Sequence, residues 1–370
     1  MLRYSTCIKP VFLLSLLFFL RAEDSYCATE KTIPFSRVVT IAGNGMKGRT
    51  DGTGSKARFN WPTGVSIAAD GTVFVADYSN NLIRRIAVNG DVSTFAGTGK
   101  AGYKDGTGVT AELWGPDTID MDGFGNVYVG DADNLRIRKI DRSGVVRTIA
   151  GSGVSGYSDG DAGAAMFGYP TGVAMDRRRG VLFVADRRTH TIRAVTDKGM
   201  VTTIAGNGKP GYVDGRKDVS LLNEPVALAV GPDGDVYVSD SGNNAVRRIT
   251  FTDDKDMARG AVIITIAGGR AAGYAAGIGR NALFSWPTGI AVDATGNVYV
   301  CDSRNNKVRR IASSGAVSTV AGLLSPGFSD ARAIKASFNF PTGIAVARNG
   351  DLYVADSGNN AIRKITSAPR

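Results

Sequence analysis

Residues 352–365 read Leu-Tyr-Val-Ala-Asp-Ser-Gly-Asn-Asn-Ala-Ile-Arg-Lys-Ile. An apolar, β-branched run ends on Asp356, a tight Asn-rich turn follows, and a second apolar run carries Arg363 seven residues after the aspartate. Two such runs around a short turn are the signature of a β-hairpin. The hairpin is not alone. Its aspartate recurs as Asp77, Asp131, Asp186, Asp240 and Asp302, and its arginine as Arg84, Arg138, Arg193, Arg247 and Arg309. Successive aspartates lie 54, 55, 54, 62 and 54 residues apart, so the chain is an array of six units.

Two further elements keep fixed offsets. Thr-Φ-Ala-Gly, with Φ apolar, ends at Gly43, Gly97, Gly151, Gly206, Gly268 and Gly322, and a proline stands nineteen residues after each, from Pro62 to Pro341. Each unit therefore reads as four short strands: in the first, 63–68, 73–76, 82–86 and 92–96, with Asp70-Gly71 and Asn89-Gly90 as tight turns. Four-stranded antiparallel sheets repeated radially make a β-propeller. The array opens with a lone fourth strand, 38–42, and closes with three strands ending at 361–365. An open array would leave both edges unpaired, so the expected fold is an all-β, six-bladed propeller in which the N-terminal strand completes the last blade.

Composition agrees. The chain has 370 residues, 48 glycines, three cysteines and one histidine. Glycine without a G-X-Y period means turns, three cysteines exclude a disulfide-dense scaffold, and one histidine excludes a multi-histidine metal centre within the chain. Formal net charge is +10, which favours anionic partners without naming one. At the start, Arg3 and Lys9 precede the apolar run 11–20. Ten residues fall short of the about 20 that span a bilayer, and the layout is that of a secretory signal peptide. Cleavage after Ala22, Cys27 or Ala28 is open. The expected organisation is a signal peptide over 1–28, a short linker over 29–36, the propeller over 37–366 and a tail over 367–370. The expected location is secreted or extracellular, periplasmic in a Gram-negative cell, without transmembrane anchoring.

The phrases at 340–346 (FPTGIAV), 352–365 and 203–208 (TIAGNG) resemble NHL repeats. The resemblance spans 37–366. It implies a six-bladed propeller used mostly as a binding platform for protein or RNA. Similar propellers include lyases and lactonases with a metal in the central channel. The zinc-dependent peptidyl-amidating lyase type needs histidines this chain lacks, whereas a calcium-dependent lactonase type needs only carboxylates and amides.

A residue present in every unit builds the blade, so the Asp…Arg pairs and the Asn of Asp-x-x-Asn are expected to be structural. The long four-to-one connections carry a ring at one offset, Tyr103, Tyr157, Tyr212, Tyr274 and Phe328, expected to pack the loop on itself. The informative positions are departures. Trp61, Tyr169, Trp286 and Phe340 directly precede the strand-one proline and Trp114 lies two before it. These aromatics either stack on a ligand at the channel mouth or plug the loop base. Asp117 replaces a threonine, Asp120 replaces Ser or Ala, and Glu224 stands where other units place an aromatic or Gly115. Those three acids either pair with arginines or hold Ca²⁺ with help from Asn60, Asn223 or Asn339; no other cofactor is expected. The loop Asp186-Arg187-Arg188-Thr189-His190 replaces the usual Asn-rich turn, making Arg187 and His190 either solvated or an anion contact. Cys301 is expected to be a buried, inert thiol. Eight extra residues between strands three and four of the fourth unit, and Arg177-Arg178-Arg179 in the third, suggest a local clasp or a partner site on the opposite face. The expected ligand is a protein, peptide or carbohydrate on the four-to-one face, with an anionic partner possible. The activity expected is non-catalytic binding; a channel-centred metal-dependent lactonase or lyase, and polyanion binding, are the alternatives.

Overall fold

In the first repeat unit, Pro62–Ile67, Val73–Asp77, Leu82–Ile86 and Asp91–Ala96 form one antiparallel sheet, each strand paired with its sequence neighbour. The β-branched second strand is buried on both faces, as befits a strand between packed sheets. All six units repeat this order in the computed structural model, which describes residues 35–253, 256–269 and 271–367. The proposed leader lies outside those residues. We number the blades 1 to 6 by their strand-one prolines, Pro62 to Pro341.

Blade 6 takes its outer strand from the other end of the chain: Phe35–Ala42 pairs antiparallel with Ala361–Ser367. The ordered strands reach beyond the expected 37–366 at both ends. Phe35 packs edge-on against Tyr299 at 5.9 Å, and the Ser367 N–H donates to Asp351 at 2.9 Å. Around the axis, strand-one threonines tie every blade but blade 4 to the next, and there the Ser241 hydroxyl donates to the Pro287 carbonyl of blade 5. Thr63 Oγ1 donates to the Asp117 carbonyl at 2.7 Å, and Thr342 Oγ1 donates to the Thr63 carbonyl at 3.0 Å, which joins blade 6 to blade 1. The inner strands approach so closely that a Cβ on Gly343 would fall 2.1 Å from the Thr63 carbonyl oxygen. That position is accordingly glycine in four blades and alanine in blade 4, with Thr118 the exception in blade 2.

The sheets have a fifth element that the repeat pattern did not reveal. In five blades the incoming four-to-one connection adds a two-residue strand outside strand four, as Gly52–Thr53 does against Asp91 and Val92. Blade 3 keeps a single bridge there, Gly160 to Val201. Outer edges are thereby covered instead of open to a second chain.

The connections themselves are pinned by the repeated ion pairs. Arg84 is fully buried, donates to Asp77 at 2.9 Å and to Asp51 of the four-to-one loop at 2.6 Å, and also to the Arg58 and Thr50 carbonyls. Aromatic rings flank the guanidinium group: Arg363, for example, lies 5.0 Å from Phe328 and 5.1 Å from Phe338. The recurring loop rings therefore cover the arginines, and the loop packs on the blade through them. On the opposite face the eight-residue extension forms a clasp. Phe251 stacks on Phe183 at 5.6 Å, Arg179 lies 4.9 Å over Phe251 and donates to the Gly234 carbonyl at 2.7 Å, and Arg177 reaches back to the Met121 carbonyl at 2.9 Å. Blades 2, 3 and 4 are stitched together there.

Two substitutions test the frame. Asp240→Ala removes the carboxylate that accepts from Arg247, Asn243 and the Asn223 N–H. It should destabilise the chain by about 3–5 kcal/mol, as expected when a buried charge loses its partner; a loss below about 1 kcal/mol in chemical denaturation would contradict this role. Blade 5 has Ala276 where the other blades place the second aspartate, so Arg309 reaches only carbonyls on that side. Ala276→Asp should raise stability by up to about 1 kcal/mol, read as a higher denaturation midpoint at unchanged slope.

Candidate functional site

The face is built by the loops between strands two and three. In blade 1, Asp77 accepts the Asn60 N–H and the Asn80 side chain, and Asn81 adopts a left-handed conformation, φ 55°. That conformation aims Asn81 at the next blade, where its Oδ1 accepts the Gly115 N–H at 3.0 Å. The same latch repeats from Asn244 to Trp286, Asn306 to Phe340 and Asn360 to Trp61, each at 2.9 Å. In blade 3 a histidine does the asparagine's work: His190 Nδ1 accepts the Glu224 N–H at 3.0 Å. His190 is therefore part of the frame as well as of the face. Accepting at Nδ1 puts its proton on Nε2, and burial holds its pKa below the usual histidine value although Glu224 and Asp186 pull it upward.

The latched residues are themselves left-handed: Trp61 has φ 56°, Glu224 48°, Trp286 55° and Phe340 51°. Bulky residues pay roughly 1–2 kcal/mol for this geometry, and strain of this kind clusters where a side chain is presented to a ligand. Tyr169 escapes it. Leu135 has no acceptor to offer, so the Tyr169 N–H donates instead to Asp186 at 2.7 Å.

The predicted aromatics fall into separate sets. Trp61 and Phe340 pack together at 5.8 Å, Trp286 lies beneath two guanidinium groups, Arg304 at 4.6 Å and Arg187 at 5.4 Å, and Trp114 is exposed at the rim. Tyr169 exchanges a 2.7 Å hydrogen bond with Tyr78, which donates to Asp133 at 3.1 Å. Between blades 3 and 4 a cleft of about 300 Å³ is lined by Tyr169, Arg187, Arg188, His190 and Glu224. Four of these five were singled out individually from the sequence. Within the cleft Arg187 donates to Glu224 through Nε at 3.0 Å and Nη2 at 2.6 Å, and Arg188 lies 4.9 Å over the Tyr169 ring.

The three acids do not form a common cage. Glu224 is engaged by Arg187. Asp120 accepts the N–H of Met121 at 2.7 Å and that of Met175 in blade 3 at 2.8 Å, so it belongs to the frame. The Asn223 and Asn339 amides pack against Gly242 and Gly358. Among the described residues no group of three or more His, Cys, Asp or Glu side chains is placed to hold a metal ion.

The NHL repeat model matches residues 59–86, 167–194, 222–249, 284–311 and 338–365. The chain belongs to the NHL-repeat propellers. The matched stretches pass over the equivalent segment of blade 2, the blade with Asp117, Thr118 and Asp120. Protein SUPPRESSOR OF QUENCHING 1, chloroplastic, of Arabidopsis thaliana is 28% identical over 286 residues, 72% of this chain and 26% of that protein. NHL repeat-containing protein 2 of Bos taurus is 28% identical over 339 residues, 78% of this chain and 44% of the relative. The chain thus spans less than half the length of either. Among solved structures, an auxiliary nutrient binding protein from Bacteroides thetaiotaomicron superposes with a TM-score of 0.69 at 18% identity, covering 89% of this chain and 76% of that one. That likeness shows the fold.

Within the NHL frame, blade 2 is the outlier. Thr118 takes over the lost threonine's bond, donating to the Thr171 carbonyl at 2.7 Å. Asp117 is thereby released from the threonine's role; the residue is half-buried, with its carboxyl beside the Thr63 hydroxyl. Burial pushes that carboxyl up to about 7, with Arg187 pulling it down and Asp133 pushing it up. Tyr78, Asp133 and Arg304 carry no signal in strand one or in the blade 3 turn, and Thr118, although in strand one, acts through a carbonyl of the next blade. Comparison of the units one and two residues after each aspartate separates Tyr78, Asp133 and Arg304 from the serines and glycines of their siblings.

A carboxyl with a raised folded pKa binds its proton more tightly in the native state, so its stabilising contribution is present below the unfolded value and lost as pH rises through the folded one. Wild type should therefore lose stability relative to Asp117→Asn between pH 4 and pH 8, with most of the change complete just above pH 7. A difference between the two proteins that does not vary with pH would show that Asp117 is ionised throughout.

Proposed function

We propose that this NHL propeller is an exported, non-catalytic binding module that takes its ligand on the face carrying the two-to-three loops. The observation that carries the reading is the cleft between blades 3 and 4. Frame requirements account for the residues common to all units, whereas Arg187 stands where other blades have Tyr, Ala or Ser, Glu224 stands where they have an aromatic or Gly115, and Arg188 is matched by an arginine in blade 5 alone, Arg304. They meet at a concave site, the usual form of a small-ligand subsite. Strained aromatics beside it supply rigid apolar surface. Catalysis is disfavoured by the chemistry of the groups present: the single histidine is committed through Nδ1 to a backbone N–H, and Cys301, fully buried, has its thiol pKa pushed well up by burial. Export is proposed from the charged and apolar pattern of residues 3–20.

Arrays of oligosaccharides and peptides, probed with the full chain, test the proposal. A ligand should be retained, and Tyr169→Ala or Trp286→Ala should weaken it at least about tenfold, or 1.4 kcal/mol, at an unchanged melting temperature. Retention that depends only on the opposite face, or turnover of an arrayed ester or lactone, would overturn the reading.

A further inference from the structure

We propose that the cleft between blades 3 and 4 is a carboxylate receptor, in which Glu224 fills the anion position until a ligand carboxylate displaces it. The inference deepens the binding-module reading and rests on it.

The geometry of Arg187 and Glu224 is that of a receptor holding a carboxylate. Nε and Nη2, the two donors along one edge of the guanidinium group, both converge on Oε2. The two side chains keep 35% and 37% of their surface exposed, and pairs open to water contribute only about 0–1 kcal/mol. An external carboxylate with additional partners can replace such an internal one. Those partners are present. Arg188 is oriented by the Tyr169 ring, and among the described residues its guanidinium group has no hydrogen-bond or ion-pair partner. His190, committed at Nδ1, has its Nε2–H left as a donor for the cleft that it lines. Arg187 is held against Trp286, so both forks are positioned before a ligand arrives, which reduces the ordering cost of binding.

The Arg187–Glu224 pair is no part of the repeated frame, and only blade 5 repeats the arginine over an aromatic, as Arg304 over Trp286. At the two positions after the aspartate where blade 3 has Arg187 and Arg188, blades 4 and 6 have Ser-Gly. At the latched position, Glu224 is the single charged residue among aromatics and Gly115. Two independent departures in neighbouring blades meet as donor and acceptor. The volume of about 300 Å³ lies at the small end of ligand sites and suits one acidic sugar or one amino acid, both of which carry the carboxylate.

Isothermal titration calorimetry on the full chain distinguishes the outcomes, with glucuronate, alanine and methyl glucuronate ester as probes. At least one of the two acids should bind, and the ester should bind at least about tenfold more weakly than glucuronate wherever glucuronate is the ligand. Tighter binding of glucuronate assigns a hydroxylated acid; tighter binding of alanine assigns an amino acid. Arg188→Ala should weaken the bound acid at least about tenfold at an unchanged melting temperature, and Glu224→Gln should tighten it by a similar factor because the internal competitor loses its charge. Equal binding of glucuronate and its ester, or weaker acid binding in Glu224→Gln, overturns the proposal. If neither acid binds while an arrayed ligand still depends on Tyr169 and Trp286, the receptor falls and the binding module stands. If no ligand depends on those rings, both fall.

Discussion

The buried aspartate–arginine pair organises everything above it. An arginine without water must find partners for its charge in the protein, and each of the six does so in two directions. One amino group faces the aspartate that ends strand two, from 2.6 Å in blade 2 to 3.7 Å in blade 3. The other draws in a carbonyl or carboxylate of the four-to-one connection. Nε is left unpartnered in all six, so the terminal amino groups and the stacked rings carry the interaction. This arrangement explains the constant length of the connections. Their tips must deliver a ring and an acceptor to one fixed point, and an inserted residue would miss it.

The same pair sets the stiffness of the working face. The aspartate that receives the arginine also receives a backbone N–H just before the strand-one proline and the amide of Asp-x-x-Asn, as at Asp356. The loop between strands two and three is thus fixed from its first residue. Its last residue reaches the next blade through the latch. A ligand on this face meets side chains whose backbone is held on both sides.

How much of this was legible depends on which contacts stay within a unit. The blade count, the ion pairs and the identity of the frame residues follow from offsets along the chain, because a hairpin brings residues seven apart into register. Contacts between units left weaker traces. Asp120 looked like a spare acid; its acceptor role depends on the Met175 N–H, 55 residues away. Thr118 shows its role only through the Thr171 carbonyl of the next blade, where it restores the bond that Asp117 gave up one residue earlier. His190 looked like a surface histidine because nothing in the loop shows that an acceptor is needed at that point for the Glu224 N–H. The left-handed backbone of Trp61, Trp286 and Phe340 had no signal at all, since tryptophan and phenylalanine are not residues chosen for positive φ.

That last feature ties frame to function. A glycine would occupy the latched position without strain, and blade 2 has one, Gly115. Four blades instead hold Trp, Glu, Trp and Phe there. In each, a side-chain acceptor from the preceding blade holds the backbone N–H in place, and a hydrogen bond contributes about 1 kcal/mol, comparable with the strain it opposes. The frame therefore spends its latch on presenting large side chains at the mouth of the ring. Blade 3 shows the alternative: with Leu135 in place of the acceptor, Tyr169 relaxes and turns its hydroxyl to Tyr78. The face is consequently uneven, with strained rings over blades 5, 6 and 1 and polar groups over blades 2 to 4. A ligand that used the whole mouth would rest apolar surface on the first arc and place its charge in the second.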